Sequence, residues 1–211
     1  MSTTVAVLGA GAWGTAVACH LATRAAQPSH VTLWARDGAQ AGAIGSAREN
    51  ARYLPGVQLP ESVVLTADLA TAARAGLLVA AVPVGALPEL ARRLAAEGVR
   101  APLVWLAKGF VASPAFPAGF GLAHQLIAPD WPAPVAIASG PTFAEEVARG
   151  LPAALTVAST DEELATAVAA LLRGDTLRAY ETDDIAGVEV GGAGKNVRAI
   201  AAGASDGLGF G

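Results

Sequence analysis

One cysteine, Cys19, stands in 211 residues, so no internal disulfide can form and the chain suits a reducing cytoplasm. Long hydrophobic runs are missing as well. The longest apolar stretch, Ala75 to Leu87, is interrupted by Pro83 and Gly85 and is too short to span a bilayer. The first residues, Met1-Ser2-Thr3-Thr4, carry no basic group and lead into a strand pattern and glycines, which is not the pattern of a signal peptide. Positive charge is not in excess. A formal net charge of -4 and a pI near 5.3 argue against nucleic acid as the main partner. The histidines His20, His30 and His124 are scattered with no neighbouring ligand cluster. No metal site is expected, and each reads as an ordinary surface or core residue.

Lysine is the most informative scarcity. Of 14 basic residues only Lys108 and Lys195 are lysines. A guanidinium stays protonated in a protein, whereas a buried ammonium can give up its proton. Codon bias accounts for a general preference for arginine. It does not account for where the two survivors lie. Lys108 closes the apolar run Pro102 to Ala107, and Lys195 follows Gly191-Gly192-Ala193-Gly194.

Short β-type runs alternate with helical stretches, which predicts an α/β protein with a Rossmann-like, doubly wound and mostly parallel sheet. Strands are expected at 4–8, 31–34, 63–66, 77–82, 103–107, 135–138, 153–158 and 176–180. Helices are expected at 12–24 and 87–97, with Asp68 capping a short one. Thr142 with Glu145 and Thr160 with Glu163 have the spacing of capping boxes for two more, and Gly150 and Gly174 stand where C-terminal caps belong. The segment 111–121 reads as a loop because of Pro114, Pro117 and its glycines. One long helix is expected from Thr182 through Lys195 to about Ala204. The cofactor-type domain would cover 1–181, and 182–211 would open an all-α substrate domain. The glycine-rich ending reads as an interruption of that second domain.

Gly9-Ala10-Gly11-Ala12-Trp13-Gly14 has the form G-x-G-x-x-G. It follows a strand and opens a helix, the context in which the pattern carries meaning. The first glycine permits a tight turn, Gly11 lets a pyrophosphate approach the backbone, and Gly14 lets helix and strand pack closely. A tight turn with no ligand is the weaker alternative. After the second strand the chain reads Trp34-Ala35-Arg36-Asp37. Arg36 near the ribose favours NADP, or tolerance of both cofactors. A shift of one residue would instead put the carboxylate of Asp37 there, and a solvated turn is the third reading.

Ligands of open parallel sheets bind beyond the carboxyl ends of the strands. Lys108 and Ser139-Gly140-Pro141-Thr142 should therefore reach the same crevice as the glycine loop. Helical spacing puts Val188, Gly192 and Ala199 on the face of Lys195. These are small or apolar, so a flat ring could come close and the amine would be desolvated. A lysine snorkelling from a helix packed on the core is the commoner alternative.

These motifs, with Asn50-Ala51-Arg52-Tyr53-Leu54-Pro55-Gly56, Ser139 to Val147, Gly191 to Val197 and Ala201 to Gly209, run in one order along the chain. In that order the sequence resembles the soluble NAD(P)-dependent glycerol-3-phosphate dehydrogenases of bacteria. The resemblance implies a Rossmann domain followed by a helical domain. It implies reversible reduction of dihydroxyacetone phosphate, a small phosphorylated three-carbon compound, to sn-glycerol 3-phosphate for phospholipid synthesis. NADP or NAD would be the cofactor, NADPH favoured. By position Gly9, Gly11, Ala12, Trp13 and Gly14 would hold the cofactor, with Arg36 at its adenosine end and Ala144 near it. Lys108 would touch both cofactor and substrate. Gly140, Thr142 and Asn196 would contact the substrate, and Lys195 would be the catalytic acid/base. No membrane insertion is implied, and a homodimer stays open as an assembly.

The chemistry fits an amine. Negative charge develops on the carbonyl oxygen as hydride reaches the ketone carbon. A protonated amine can donate to that oxygen, and the neutral amine can take the proton back. Two features depart from the family. Gly194 stands where a larger apolar residue is usual. The substrate-phosphate site is completed by later residues, an Asp and a Ser-Arg-Asn stretch, so these 211 residues are expected to bind cofactor without a complete active site. Another lysine-using Rossmann reductase, of the β-hydroxyacid dehydrogenase or ketopantoate reductase type, and a non-catalytic NAD(P)-binding module are the competing readings.

Overall fold

Apolar runs that alternate with helices leave strands buried on both faces, and the computed structural model, which describes residues 4–24 and 30–210, has that organisation. In chain order the elements are β1 (Thr4–Leu8), α1 (Ala12–Thr23), β2 (His30–Trp34), α2 (Gly38–Ala47), β3 (Glu49–Asn50), β4 (Leu54–Gln58) and β5 (Val63–Thr66). There follow α3 (Leu69–Ala72), β6 (Leu77–Ala80), α4 (Leu87–Ala96), β7 (Leu103–Trp105), β8 (Val111–Ala112), β9 (Phe120–Gly121) and α5 (Ala123–Ile127). The remainder is β10 (Val135–Ser139), α6 (Ala144–Ala148), β11 (Ala153–Ala158), α7 (Glu162–Leu172), β12 (Leu177–Thr182), α8 (Ile185–Ala193) and α9 (Lys195–Gly207).

Eight strands form one sheet in the order β12-β11-β10-β7-β6-β1-β2-β5. All neighbours run parallel except β10 and β11, which are antiparallel. From β1 the chain winds first to β2 and β5, then crosses back to β6 and β7. The direction of winding reverses at the β1/β6 seam, and the crevice beyond that seam is where this architecture takes its ligands. The amide of Ala81, just past β6, donates to Leu8 O at 2.8 Å, so the two strands stay paired up to that crevice.

The core lies on both faces of the sheet. Val5, Val7, Val17, Leu21, Leu33 and Val168 belong to one layer, and Leu8, Leu78, Leu87, Leu94, Trp105 and Ile137 to the other. Side chains this deeply buried each contribute about 1.5–3 kcal/mol relative to exposure. Among the described residues no helix is long and apolar enough to cross a membrane.

The structure departs from the sequence expectation in several places. Strands β6 and β7 end at Ala80 and Trp105, earlier than 82 and 107, because the chain turns away above the crevice. The segment 111–121 is not plain loop. Val111 and Ala112 pair with Gly121 and Phe120, and both prolines fall in the turn between them. Neither capping box forms. Thr142 N donates back to Gly140 O at 2.8 Å, so α6 starts one residue later with Phe143 as N-cap. At α7 the cap is Asp161, whose carboxylate accepts from Leu164 N at 2.7 Å in place of the Thr160 hydroxyl. A full negative charge is the better partner for the positive end of a helix. Gly150 takes the left-handed conformation after α6 as expected, at φ +69°, whereas Gly174 has no such φ. The long helix expected from Thr182 is two helices, α8 and α9, which meet at Gly194.

Candidate active site

Distances explain why Gly9 and Gly14 must be glycine, and they leave the space beside Gly11 open. Gly9 has φ +123°, and a Cβ there would stand 2.8 Å from Ala81 O. A Cβ on Gly14 would stand 1.9 Å from Gly9 O, which only hydrogen permits. A Cβ on Gly11 would meet nothing within 4 Å. That open space lies at the N-terminus of α1, which has no side-chain cap and no acidic residue in its first turn. Uncapped N–H groups at the positive end of a helix form an anion site, so the loop fits a dinucleotide pyrophosphate. Ala12 and Trp13 are half-buried beside it, and the Trp13 indole Nε1 is buried with no partner.

Asn50 was not given a role by the sequence, yet it fixes this loop. Its buried amide donates to Ala10 O at 3.0 Å and to Thr15 Oγ1 at 2.7 Å, while Gln40 Nε2 donates to Ala10 O at 2.8 Å. An asparagine in a polar segment gives no sequence signal for a partner 40 residues away.

At the end of β2 the structure separates Arg36 from Asp37. Ala35 is buried. Asp37 caps α2, accepting from Ala39 N at 2.8 Å and Gln40 N at 3.4 Å. Arg36 is exposed. One oxygen of that carboxylate is engaged by the helix, while Arg36 beside it is exposed.

Both lysines reach the turn after β10. Lys108 follows β7, and its Nζ donates to Gly140 O at 2.7 Å. Lys195 begins α9, and its Nζ donates to Thr142 O at 3.4 Å and lies 3.9 Å from the centroid of the Phe143 ring. Two amines thus converge on one tetrapeptide, Ser139 to Thr142. A Cβ on Gly192 would stand 2.6 Å from Ser139 Oγ and 3.6 Å from Lys108 Cγ, so α8 passes close to this turn and a larger residue would make the serine hydroxyl turn aside. The Ser139 and Thr142 hydroxyls are buried and lack partners. Burial first, and the charge of Lys195 second, bring the Lys108 pKa from 10.5 down to about 8.

A cavity of about 420 Å³ opens here, lined by Ser139, Gly140, Thr156, Val188, Gly192 and Lys195 among others. Val188 and Gly192 flank Lys195 as helical spacing predicted, whereas Ala199 is exposed on α9 and does not join them. Ala144 opens α6, which packs against α1. The Asn196 side chain lies outside the described residues. A slightly larger cavity of about 460 Å³ shares no residue with this one. It opens at the end of α1 between Cys19, His20, Arg24, Gln58 and Asp175. Burial pushes the Cys19 thiol up to about 11, so that cavity holds no reactive thiolate. Among the described residues no three His, Cys, Asp or Glu gather as a metal site.

Comparison with known proteins shows the family of the chain. Residues 4–165 match the family described as NAD-dependent glycerol-3-phosphate dehydrogenase N-terminus, and residues 184–211 match its C-terminus counterpart. A glycerol-3-phosphate dehydrogenase [NAD(P)+] of Cupriavidus taiwanensis is 49% identical over 218 residues, covering 97% of this chain and 62% of its own length. One from Methylibium petroleiphilum is 50% identical, covering 98% and 61%. The chain therefore spans a little over three-fifths of such relatives. The crystal structure of glycerol-3-phosphate dehydrogenase from Coxiella burnetii superposes with TM-score 0.85 at 32% identity, covering all of this chain and 63% of that one.

Proposed function

Since the chain belongs to the NAD-dependent glycerol-3-phosphate dehydrogenase family, we propose that it carries the cofactor site and the proton-transfer amine for reversible reduction of dihydroxyacetone phosphate to sn-glycerol 3-phosphate. The observation that carries this reading is the convergence of Lys108 and Lys195 on Gly140 and Thr142 beside an open glycine loop. Residues 1–181 form the cofactor domain, and 182–211 open the helical substrate domain. The product would feed glycerophospholipid synthesis in the cytoplasm.

The bound nicotinamide supplies the hydride. The residues of this chain do the rest. The α1 N-terminus would hold the pyrophosphate. Lys195 as ammonium donates its proton to the oxygen that becomes the new hydroxyl, and as free amine accepts that proton in the reverse direction. Lys108, Gly140 and Thr142 hold the substrate, with Asn196 beside Lys195. The Gly140 carbonyl holds Lys108 beside the turn, and Lys195, tied to Thr142 O by one long bond, stays free to reach the substrate. Assay of the intact protein with NADPH or NADH and dihydroxyacetone phosphate tests the reading. Turnover supports it. Cofactor binding with no turnover of this ketone, or turnover of another 2-keto compound instead, overturns it.

Two expectations follow. In free enzyme Lys108 loses its proton near pH 8, and with it the attraction for an anionic phosphate ester. The pH profile of kcat/KM for the ketone should therefore fall on the alkaline side with a midpoint near 8. Lys108→Arg, which stays charged, should remove that limb. Arg36 makes the site prefer NADPH, because Asp37 is held as a helix cap. Arg36→Ala should raise the Kd for NADPH about tenfold, the worth of one charge-assisted hydrogen bond, and leave NADH within about twofold.

A further inference from the structure

A buried carboxylate lies under the site and takes no part in the chemistry above. Glu189, on α8, is 4% exposed. Its Oε1 accepts from Trp105 Nε1 at 3.2 Å and from His124 N at 3.3 Å, and its Oε2 meets His124 Nδ1 at 2.5 Å. Trp105 is fully buried and ends β7, three residues before Lys108. Glu189 stands six residues before Lys195 and one turn before Gly192. One side chain therefore ties the segment that carries Lys108 to the helix that leads into Lys195, with α5 as the third anchor.

We propose that Glu189 is a positioning residue: its carboxylate, held by Trp105 and His124, fixes α8 against the sheet at the spacing that places Lys195 over the Ser139–Thr142 turn. The spacing is close, since a Cβ on Gly192 would stand 2.6 Å from Ser139 Oγ and 3.5 Å from Ser139 Cβ. What the site needs from Glu189 is side-chain length and hydrogen-bonding reach. Glutamine keeps both. Its carbonyl oxygen can accept from the indole and the His124 amide, and its amide can donate to His124 once the imidazole carries its proton on Nε2. Aspartate keeps the charge but withdraws the carboxylate by one methylene, so either the three contacts open or α8 moves.

The inference rests on the proposed reduction, and its test has one readout that does not. With intact protein normalised to its NADPH-binding fraction, Glu189→Gln should keep kcat within about threefold of wild type, whereas Glu189→Asp should lower it about 10- to 100-fold, as expected of a displacement near 1 Å. The KM for NADPH should stay within about twofold in both. Equal activity of both variants, or loss in Gln with retention in Asp, overturns the inference. If Glu189→Asp does not fold, His124→Leu decides: it should lose about tenfold in kcat, restored by His124→Asn, whose amide can replace Nδ1 as donor. No loss in Leu, or no recovery in Asn, also overturns it. The second readout needs no substrate. In intact protein labelled with [ε-¹³C]lysine the Lys195 signal is the one that vanishes in Lys195→Ala. The Lys195 resonance should move in Glu189→Asp and stay in Glu189→Gln. Failure of wild-type turnover alone would sink the proposed function while leaving this spectral test standing.

Discussion

Replacing Lys195 by alanine lowers kcat for reduction of dihydroxyacetone phosphate by about 10²–10⁴-fold, the usual contribution of a positioned general acid. The affinity for NADPH, measured by fluorescence titration, stays within about threefold, because the pyrophosphate is proposed to sit at the α1 N-terminus and not on the Lys195 amine. The melting temperature also stays close to wild type. Lys195 Nζ makes one long hydrogen bond, to Thr142 O at 3.4 Å, and a cation–π contact with an exposed Phe143. A contact of that kind at an exposed ring is worth about 0.5–1 kcal/mol. The amine is thus weakly held in the resting site and strongly needed in the reaction. A drop in kcat matched by an equal rise in the cofactor Kd would instead show that Lys195 serves binding alone.

The second large effect separates two glycines that look alike in the sequence. Gly14→Ala forces a Cβ to within 1.9 Å of the Gly9 carbonyl, a clash with backbone that cannot swing aside. Overpacking of this kind costs about 3 kcal/mol or more, and the melting temperature should fall by roughly 6–12 °C. Gly11→Ala meets no protein atom within 4 Å. Its melting temperature should stay within about 2 °C of wild type, while the Kd for NADPH rises about tenfold or more, because the methyl takes the place reserved for the pyrophosphate. The pair therefore divides fold from binding. Equal loss of stability in both variants would contradict the geometry assigned to the loop.

The cofactor half of the site was legible because its signals are local. A strand, a glycine pattern and a helix sit within 20 consecutive residues, and Gly9 and Gly14 have steric reasons that the structure supplies. The lysines were legible for another reason, scarcity in a chain rich in arginine. What remained hidden is long-range. Asn50 reaches Ala10 and Thr15, and Glu189 reaches Trp105 and His124 across 84 and 65 residues. Glu189 lies among glycines and valines with no neighbouring charge, so spacing gives it no partner. Capping boxes failed where competition is decided in three dimensions. The Thr142 amide is taken by Gly140 O, and Asp161 outbids Thr160 at α7. The antiparallel entry of β11 was equally invisible, since a buried strand has the same composition in either direction.

Chemical rescue probes the proton on position 195 most directly. In the Lys195→Ala protein, added methylamine should restore ketone reduction in proportion to its concentration. Across a series of primary amines, the restored rate should track amine pKa. Tetramethylammonium, which carries charge and no transferable proton, should restore nothing. Equal rescue by tetramethylammonium, or turnover in the alanine protein undiminished before any amine is added, would contradict proton transfer from this side chain.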